Sequence, residues 1–179
     1  MKDLCRILAV LFTFVSTGCY ASMTGTVVDS ETGKPIEGAV VLVEWTMEKG
    51  LPGLSNTEPY KVIEVITDKE GKFEVSGVLN PLVDPPDITV YKKGYVAWNN
   101  KFIFPGYKKR KDFKWQNKYI FKLEQFKSEY SYVKHSSFIS DAIHSWSASE
   151  KKDIFKKAYE WEEDEAFKER QKKDRSDRH

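Results

Sequence analysis

The sequence predicts a mainly β protein, a seven-stranded β-sandwich with a C-terminal α-helical extension. Three observations predict it. Between Thr24 and Leu123, short alternating or β-branched stretches recur, separated by Gly, Pro and Asp turn residues. Aromatic residues make up 14% of the 179-residue chain, which suits a pleated, aromatic-packed fold. After Glu124 the apolar spacing changes from every second residue to every third and fourth, which is helical.

Composition bounds the rest. A hydrophobic fraction of 40% and a charged fraction of 31% are those of a globular chain large enough for a real core. The formal charge of +2 is too small to indicate nucleic acid as a partner. Both cysteines, Cys5 and Cys19, precede the first strand, so the sandwich has no disulfide, no thiolate metal site and no cysteine nucleophile.

Residues 1–18 read as a secretory signal peptide. Lys2 and Arg6 precede the apolar run Ile7 to Val15, which ends at the small residues Ser16-Thr17-Gly18. That run is well short of the ~20 residues a membrane span needs. Val15-Ser16-Thr17-Gly18-Cys19 resembles the bacterial lipobox, with Ser16 where leucine is usual. The resemblance implies that Cys19 is lipidated, that residues 19–23 form a short tether, and that the protein is held at a membrane by acyl chains. Tyr20, a non-aspartate after the cysteine, implies outer-membrane sorting by the same resemblance. The alternative is a secreted protein cleaved by ordinary signal peptidase after Ala21.

The sandwich is expected over residues 24–124. Thr24 to Asp29 alternates, and Glu31-Thr32-Gly33-Lys34-Pro35 is turn chemistry, with Gly33 free to take positive φ. Ala39 to Trp45 is nearly continuous in apolar residues and is predicted to lie buried in the sheet centre. Tyr60 to Thr67 alternates, Asp68-Lys69-Glu70-Gly71 reads as a hairpin connection, and Lys72 to Val75 returns. Ile88 to Tyr91, Val96 to Phe104 and Lys118 to Leu123 complete the seven.

Gly25-Thr26-Val27-Val28-Asp29, Thr32-Gly33-Lys34-Pro35-Ile36 and Gly38-Ala39-Val40-Val41 resemble the opening of a carboxypeptidase regulatory-like domain. Thr67 to Phe73 is similar to that family's central hairpin, and Val90-Tyr91-Lys92-Lys93-Gly94-Tyr95 to its later strand ending. The resemblance covers Thr24 to Tyr95. It implies a transthyretin-like (prealbumin-like) sandwich used for support, contact or binding, without catalysis and without a peptidase zinc site.

If each strand crosses the sandwich once, the start of the first strand and the loops 47–59, 79–86 and 105–116 share the end that carries Cys19. Leu51, Leu54, Tyr107, Lys108, Lys109, Arg110, Lys111 and Trp115 are therefore candidate membrane- or partner-facing residues. A solvated basic loop is the plainer reading of the same residues. The partners expected are a membrane, through the anchor, and an envelope protein or a glycan. For a glycan, Trp98 or Trp115 would be the stacking platform.

No catalytic residue, metal site or cofactor is expected. His135 and His144 stand nine apart, not at helical zinc-ligand spacing, and His179 is terminal. Ser136 and Ser137 beside His135 lack a nucleophile elbow, so these read as surface polar residues. Asp29, Glu31, Asp68 and Glu70 fall in turns at the end opposite the anchor, where turn formation explains them more simply than calcium. There is no phosphate loop or dinucleotide fingerprint, and no spacing singles out a Lys–Asn cross-link.

Residues 125–179 form the helical tail. Phe138, Ile139, Ala142, Ile143 and Trp146 share one face, and Ser147-Ala148-Ser149-Glu150 is a capping box. Ile154, Phe155, Ala158, Trp161 and Glu165 continue a second stripe, while the charged end from Lys168 is expected to be disordered. The stripes are predicted to pack back on the sandwich, with partner binding as the alternative.

Overall fold

The computed structural model describes residues 19–51, 54–143 and 153–178. The signal peptide, the first four residues of the lipobox, Trp146, His144, His179 and the capping box at 147–150 lie outside the described residues. Among the described residues there are eleven strands: β1 (Cys19–Tyr20), β2 (Met23–Asp29), β3 (Val40–Leu51), β4 (Leu54–Ile66), β5 (Lys72–Val75), β6 (Val78–Leu79), β7 (Asp87–Tyr91), β8 (Trp98–Asn99), β9 (Phe102–Ile103), β10 (Lys108–Lys109) and β11 (Tyr119–Leu123). Two helices follow among the described residues, α1 (Tyr132–Ala142) and α2 (Asp153–Ser176).

Two sheets make the sandwich. One has the order β11-β2-β5, with β11 parallel to β2; the other has the order β4-β3-β7-β8. Val27, Phe73, Val75, Phe121 and Leu123 from the first meet Val41, Val43, Trp45, Ile88, Val90 and Trp98 from the second in one apolar core. Gly25 belongs to this packing: a Cβ there would stand 2.6 Å from the Phe73 ring and 2.8 Å from that of Phe121. The absence of a side chain lets two rings close over the strand.

The other face of the four-stranded sheet is also covered. Val40, Leu42 and Tyr91 pack with Phe138 and Ile139 of α1 and Phe155 and Tyr159 of α2 in a second core. This explains the unbroken apolar run of the predicted central strand, since β3 is buried on both faces from Val40 to Thr46. The tail therefore packs on the sandwich, as its stripes predicted.

All seven predicted strands are found, with differences that have physical causes. Val96 to Phe104 is two short strands, because Asn99 turns the chain: its side-chain carbonyl accepts from the N–H groups of Lys101 and Phe102. The tether at 19–23 includes a strand, since Cys19 and Tyr20 pair antiparallel with Leu79 and Val78. Residues 47–59 are not a loop. β3 and β4 continue their ladder to Leu51 and Leu54, past a register shift between Trp45 and Thr46. The Asp68 turn is not a hairpin connection either, because β4 and β5 belong to different sheets. Asp68 folds the turn locally, accepting from the N–H groups of Glu70 and Lys72, and so carries the chain across the sandwich. The charged end is helical to Ser176, where disorder was expected. Lys168–Glu165 is an i,i+3 ion pair on the α2 surface.

Candidate functional site

Two places hold the candidate residues: the end of the sandwich that carries Cys19, and the sealed interface between sheet and helices.

At the Cys19 end, the β1–β6 ladder puts Cys19 opposite Leu79. Leu79 is 80% exposed and Leu82, in the next turn, is 72% exposed. Val83 bridges to Met47, and the Thr46 hydroxyl donates to Asp84 at 3.0 Å, so this loop is tied to the base of the β3–β4 ribbon. Beyond that tie the ribbon projects with no core behind it, held by its own ladder, by a Thr57 hydroxyl donating to Glu48 at 2.5 Å and by a Lys49–Glu58 ion pair. Hydrogen bonds from Thr57 and Ser55 hold the Glu48 carboxyl below the usual range. At its tip Leu51 and Leu54 face each other in register, 72% and 82% exposed.

The predicted basic–aromatic loop is not one free surface. Lys108 and Lys109 are exposed and pair with Ile103 and Phe102, and Lys111 is exposed. Tyr107 turns instead to α1, where its hydroxyl donates to Asp141 at 3.0 Å and its ring meets Phe138. Burial, with the Asp141 carboxylate beside it, pushes this phenol up to about 12. Arg110 is a structural cation: Nε donates to the Asn99 carbonyl at 2.8 Å and the guanidinium lies 4.5 Å over the Trp98 ring. Trp115 is half-buried, edge-on to Trp45, and its indole N–H donates to the Ala21 carbonyl at 2.9 Å. It fastens the chain after Cys19 to the sandwich.

The tryptophans nominated as sugar platforms are thus occupied. Trp98 is 5% exposed, with Phe113, Tyr119 and Phe121 against its ring edges and faces and Arg110 over it. A cleft of about 220 Å³ opens beside it, lined by Phe104, Arg110, Lys122 and Glu124 among others. A broader groove of about 650 Å³ runs over β2, β5 and the start of β11.

His135 corrects the surface reading of the histidines. It is wholly buried, and its Nε2 accepts from the Ala97 N–H at 2.8 Å. The proton therefore sits on Nδ1, which donates to Glu162 of α2. The other Glu162 oxygen accepts from the Tyr91 hydroxyl at 3.1 Å. Burial, with Glu162 alongside, holds that phenol well above its ordinary range and so protonated. Ser136, also buried, shares a hydrogen bond of 2.6 Å with the Tyr159 hydroxyl, while Ser137 is exposed. An imidazole beside a carboxylate invites a general-base reading. Here both ring nitrogens are filled, and Phe104, Phe126 and Phe138 close around the ring. The geometry is a buried clasp between α1, α2 and β7.

At the opposite end, the Asp29 carboxylate is also spent. One oxygen accepts from Glu31 N–H, Thr32 N–H and the Thr32 hydroxyl, and the other from Tyr95 and Gln125. The Gln125 amide and these neighbours hold its carboxyl far below the ordinary range. No group of three or more acidic, histidine or cysteine side chains suited to a metal occurs among the described residues.

Sequence reasoning passed over Leu79, Leu82 and the clasp. The leucines have a signal: Gly50 to Thr57 and Val75 to Val83 are two charge-free runs in a chain rich in charge. The clasp has little, because Glu162 occupies an apolar stripe that periodicity alone assigns to hydrophobes.

Fold and site together define a class, a two-sheet β-sandwich whose outer face is closed by a helical pair. No family model matches the chain, and no curated protein matches it. Among solved structures it is similar to 3-chlorocatechol 1,2-dioxygenase from Rhodococcus opacus 1CP, at 14% identity and a TM-score of 0.39, covering 63% of this chain and 62% of that one. It is also similar to a streptococcal ancillary pilin, at 17% identity and a TM-score of 0.31, covering 59% of this chain and 29% of that one. The pilus 2b backbone protein of group B streptococcus gives 12% identity and a TM-score of 0.33, covering 59% of this chain and 41% of that one. The chain spans less than two thirds of each.

Proposed function

We propose that this protein is an exported, lipid-anchored module of the bacterial cell envelope, related to the carboxypeptidase regulatory-like domains, whose β-sandwich serves as a non-catalytic contact or scaffold unit. The observation that carries the reading is the placement of Cys19. Its backbone pairs with Leu79 in a short two-stranded ladder beside the sandwich, and Trp115 holds Ala21 two residues on. A lipid on Cys19 would leave almost no slack between bilayer and fold.

The sealed state of His135 supports the non-catalytic part. A general base needs a ring nitrogen within reach of a substrate proton, and His135 offers none. The test is direct. Wild-type protein should fractionate with membranes and give a Cys19 peptide carrying acyl mass, and Cys19→Ala should move to the soluble fraction. Unchanged fractionation with no lipid on Cys19 would sink the anchor. In-cell cross-linking with pull-down then identifies what the sandwich touches.

A further inference from the structure

We propose that the tip of the β3–β4 ribbon, with Leu79 and Leu82 beside it, enters the interface of a lipid bilayer, so that the sandwich stands on the membrane by its Cys19 end. This rests on the anchoring reading above and goes beyond it, assigning a second membrane contact made by the fold itself.

Four of the most exposed large hydrophobic side chains in the described residues are Leu51, Leu54, Leu79 and Leu82. All four belong to the Cys19 end. Leu79 pairs with Cys19, Leu82 adjoins the Val83–Met47 bridge, and Leu51 and Leu54 cap the ribbon that rises from it. From Met47 to Leu51 is four residues of strand, a reach of about 13 Å past the bridge. The tip thus extends beyond the bridge that ties the ribbon to the Leu79–Leu82 loop, at the end of the sandwich that carries Cys19.

Polarity along the ribbon is graded. Leu51 and Leu54 occupy the tip, the uncharged pair Gly50 and Ser55 follows, and then come Lys49 opposite Asn56, Glu48 opposite Thr57, and Glu58, which completes the ion pair with Lys49. Lys49 is two residues behind Leu51, about 7 Å along the strand. An element seated at the headgroup–acyl boundary buries its apolar part by roughly 5–10 Å. The gradient thus places leucines among acyl carbons and the ion pair among headgroups. A protein pocket has no need of that ordering along one axis. The exposed Lys108, Lys109 and Lys111 lie outside the ribbon and add attraction to anionic headgroups without being required for the insertion.

The experiment places an environment-sensitive fluorophore on Leu54→Cys, and separately on Ile66→Cys, in the mature protein reconstituted in vesicles of phosphatidylethanolamine and phosphatidylglycerol. Ile66 is the control, being 53% exposed and paired with Val40 at the far end of the same sheet. The Leu54 label should shift to the blue and lose at least about half its emission to shallow brominated acyl chains, the depth of an interfacial element. The Ile66 label should do neither. A Leu54 label that behaves like the Ile66 label overturns the proposal. So does a blue shift that is present before vesicles are added, because the tip is then covered by protein. Mass analysis of the Cys19 peptide separates the two readings. If it carries no lipid, anchoring fails, and the same labels on the Cys19→Ser form decide tip insertion alone: quenching upholds it and no quenching ends it.

Discussion

The two cores of this protein share a sheet but are built on different principles. Between the sheets, Val27, Val41, Val43, Trp45, Phe121 and their neighbours form an apolar interior in which aromatic edges meet aromatic faces. On the outer face of β3 and β7, the helices are held by leucine, phenylalanine and tyrosine packing plus a buried polar chain from Ala97 through His135 and Glu162 to Tyr91. The first core has no directional bonds to satisfy; the second fixes one registration of helix on sheet, because Glu162 must meet His135 and Tyr91 at once while His135 meets Ala97. A sandwich carries the fold, and a polar clasp decides how the tail sits on it.

Breaking each core in turn should separate them. Phe121→Ala, at the centre of the sandwich, should cost about 3–5 kcal/mol and lower the urea midpoint, since Phe73 of β5 and Trp98 of β8 both pack on that ring. Glu162→Ala leaves His135 and Tyr91 buried without their acceptor, a loss of about 2–5 kcal/mol for two buried donors left unpaired. Hydrogen exchange should then quicken in α1 and α2 while β2 and β11 stay protected. Equal acceleration in both regions would mean the two cores unfold as one.

Gly25→Ala forces a methyl against the Phe73 and Phe121 rings and should cost about 1–3 kcal/mol of overpacking, read as a lower thermal midpoint. Asp29 predicts a pH effect of known sign. Its folded carboxyl is held below its unfolded range, so its contribution is present above a pH of about 4 and fades as pH falls below that value. The stability gap between wild type and Asp29→Asn should therefore narrow in acid, and a gap that widens refutes the carboxylate's role. Smallest of all, Leu51→Ser with Leu54→Ser should change stability by within about 0.5 kcal/mol, because no core lies behind the ribbon tip. A larger loss would make the tip part of the fold and not a surface for something else.

Much of the sandwich was legible because strand period and turn chemistry are local. The alternation of Thr24 to Asp29, the continuous apolar run from Ala39 and the Asp68 turn each appear where the residues place them. What the Asp68 turn could not reveal is which sheet the next strand joins, since a tight turn fixes chain reversal and leaves pairing to distant partners. The ribbon at 47–59 was hidden for a related reason. Its polar, Gly- and Pro-bearing residues carry no hydrophobic alternation, and the ladder forms by continuing from the buried part of β3 and β4. Arg110 and Trp115 read as surface residues because nothing local announces Trp98 or Ala21 as their partners.

The sequence by itself determined a β-sandwich with a helical tail, the burial of its central strand and the position of Cys19 just ahead of the first long strand. Tertiary structure alone decided that Cys19 lies opposite Leu79, that Trp98 is buried under Arg110, and that His135 and Glu162 close on each other inside the molecule. Periodicity records how often a residue meets a face. It does not record which residue, 27 positions away, arrives to share a proton there.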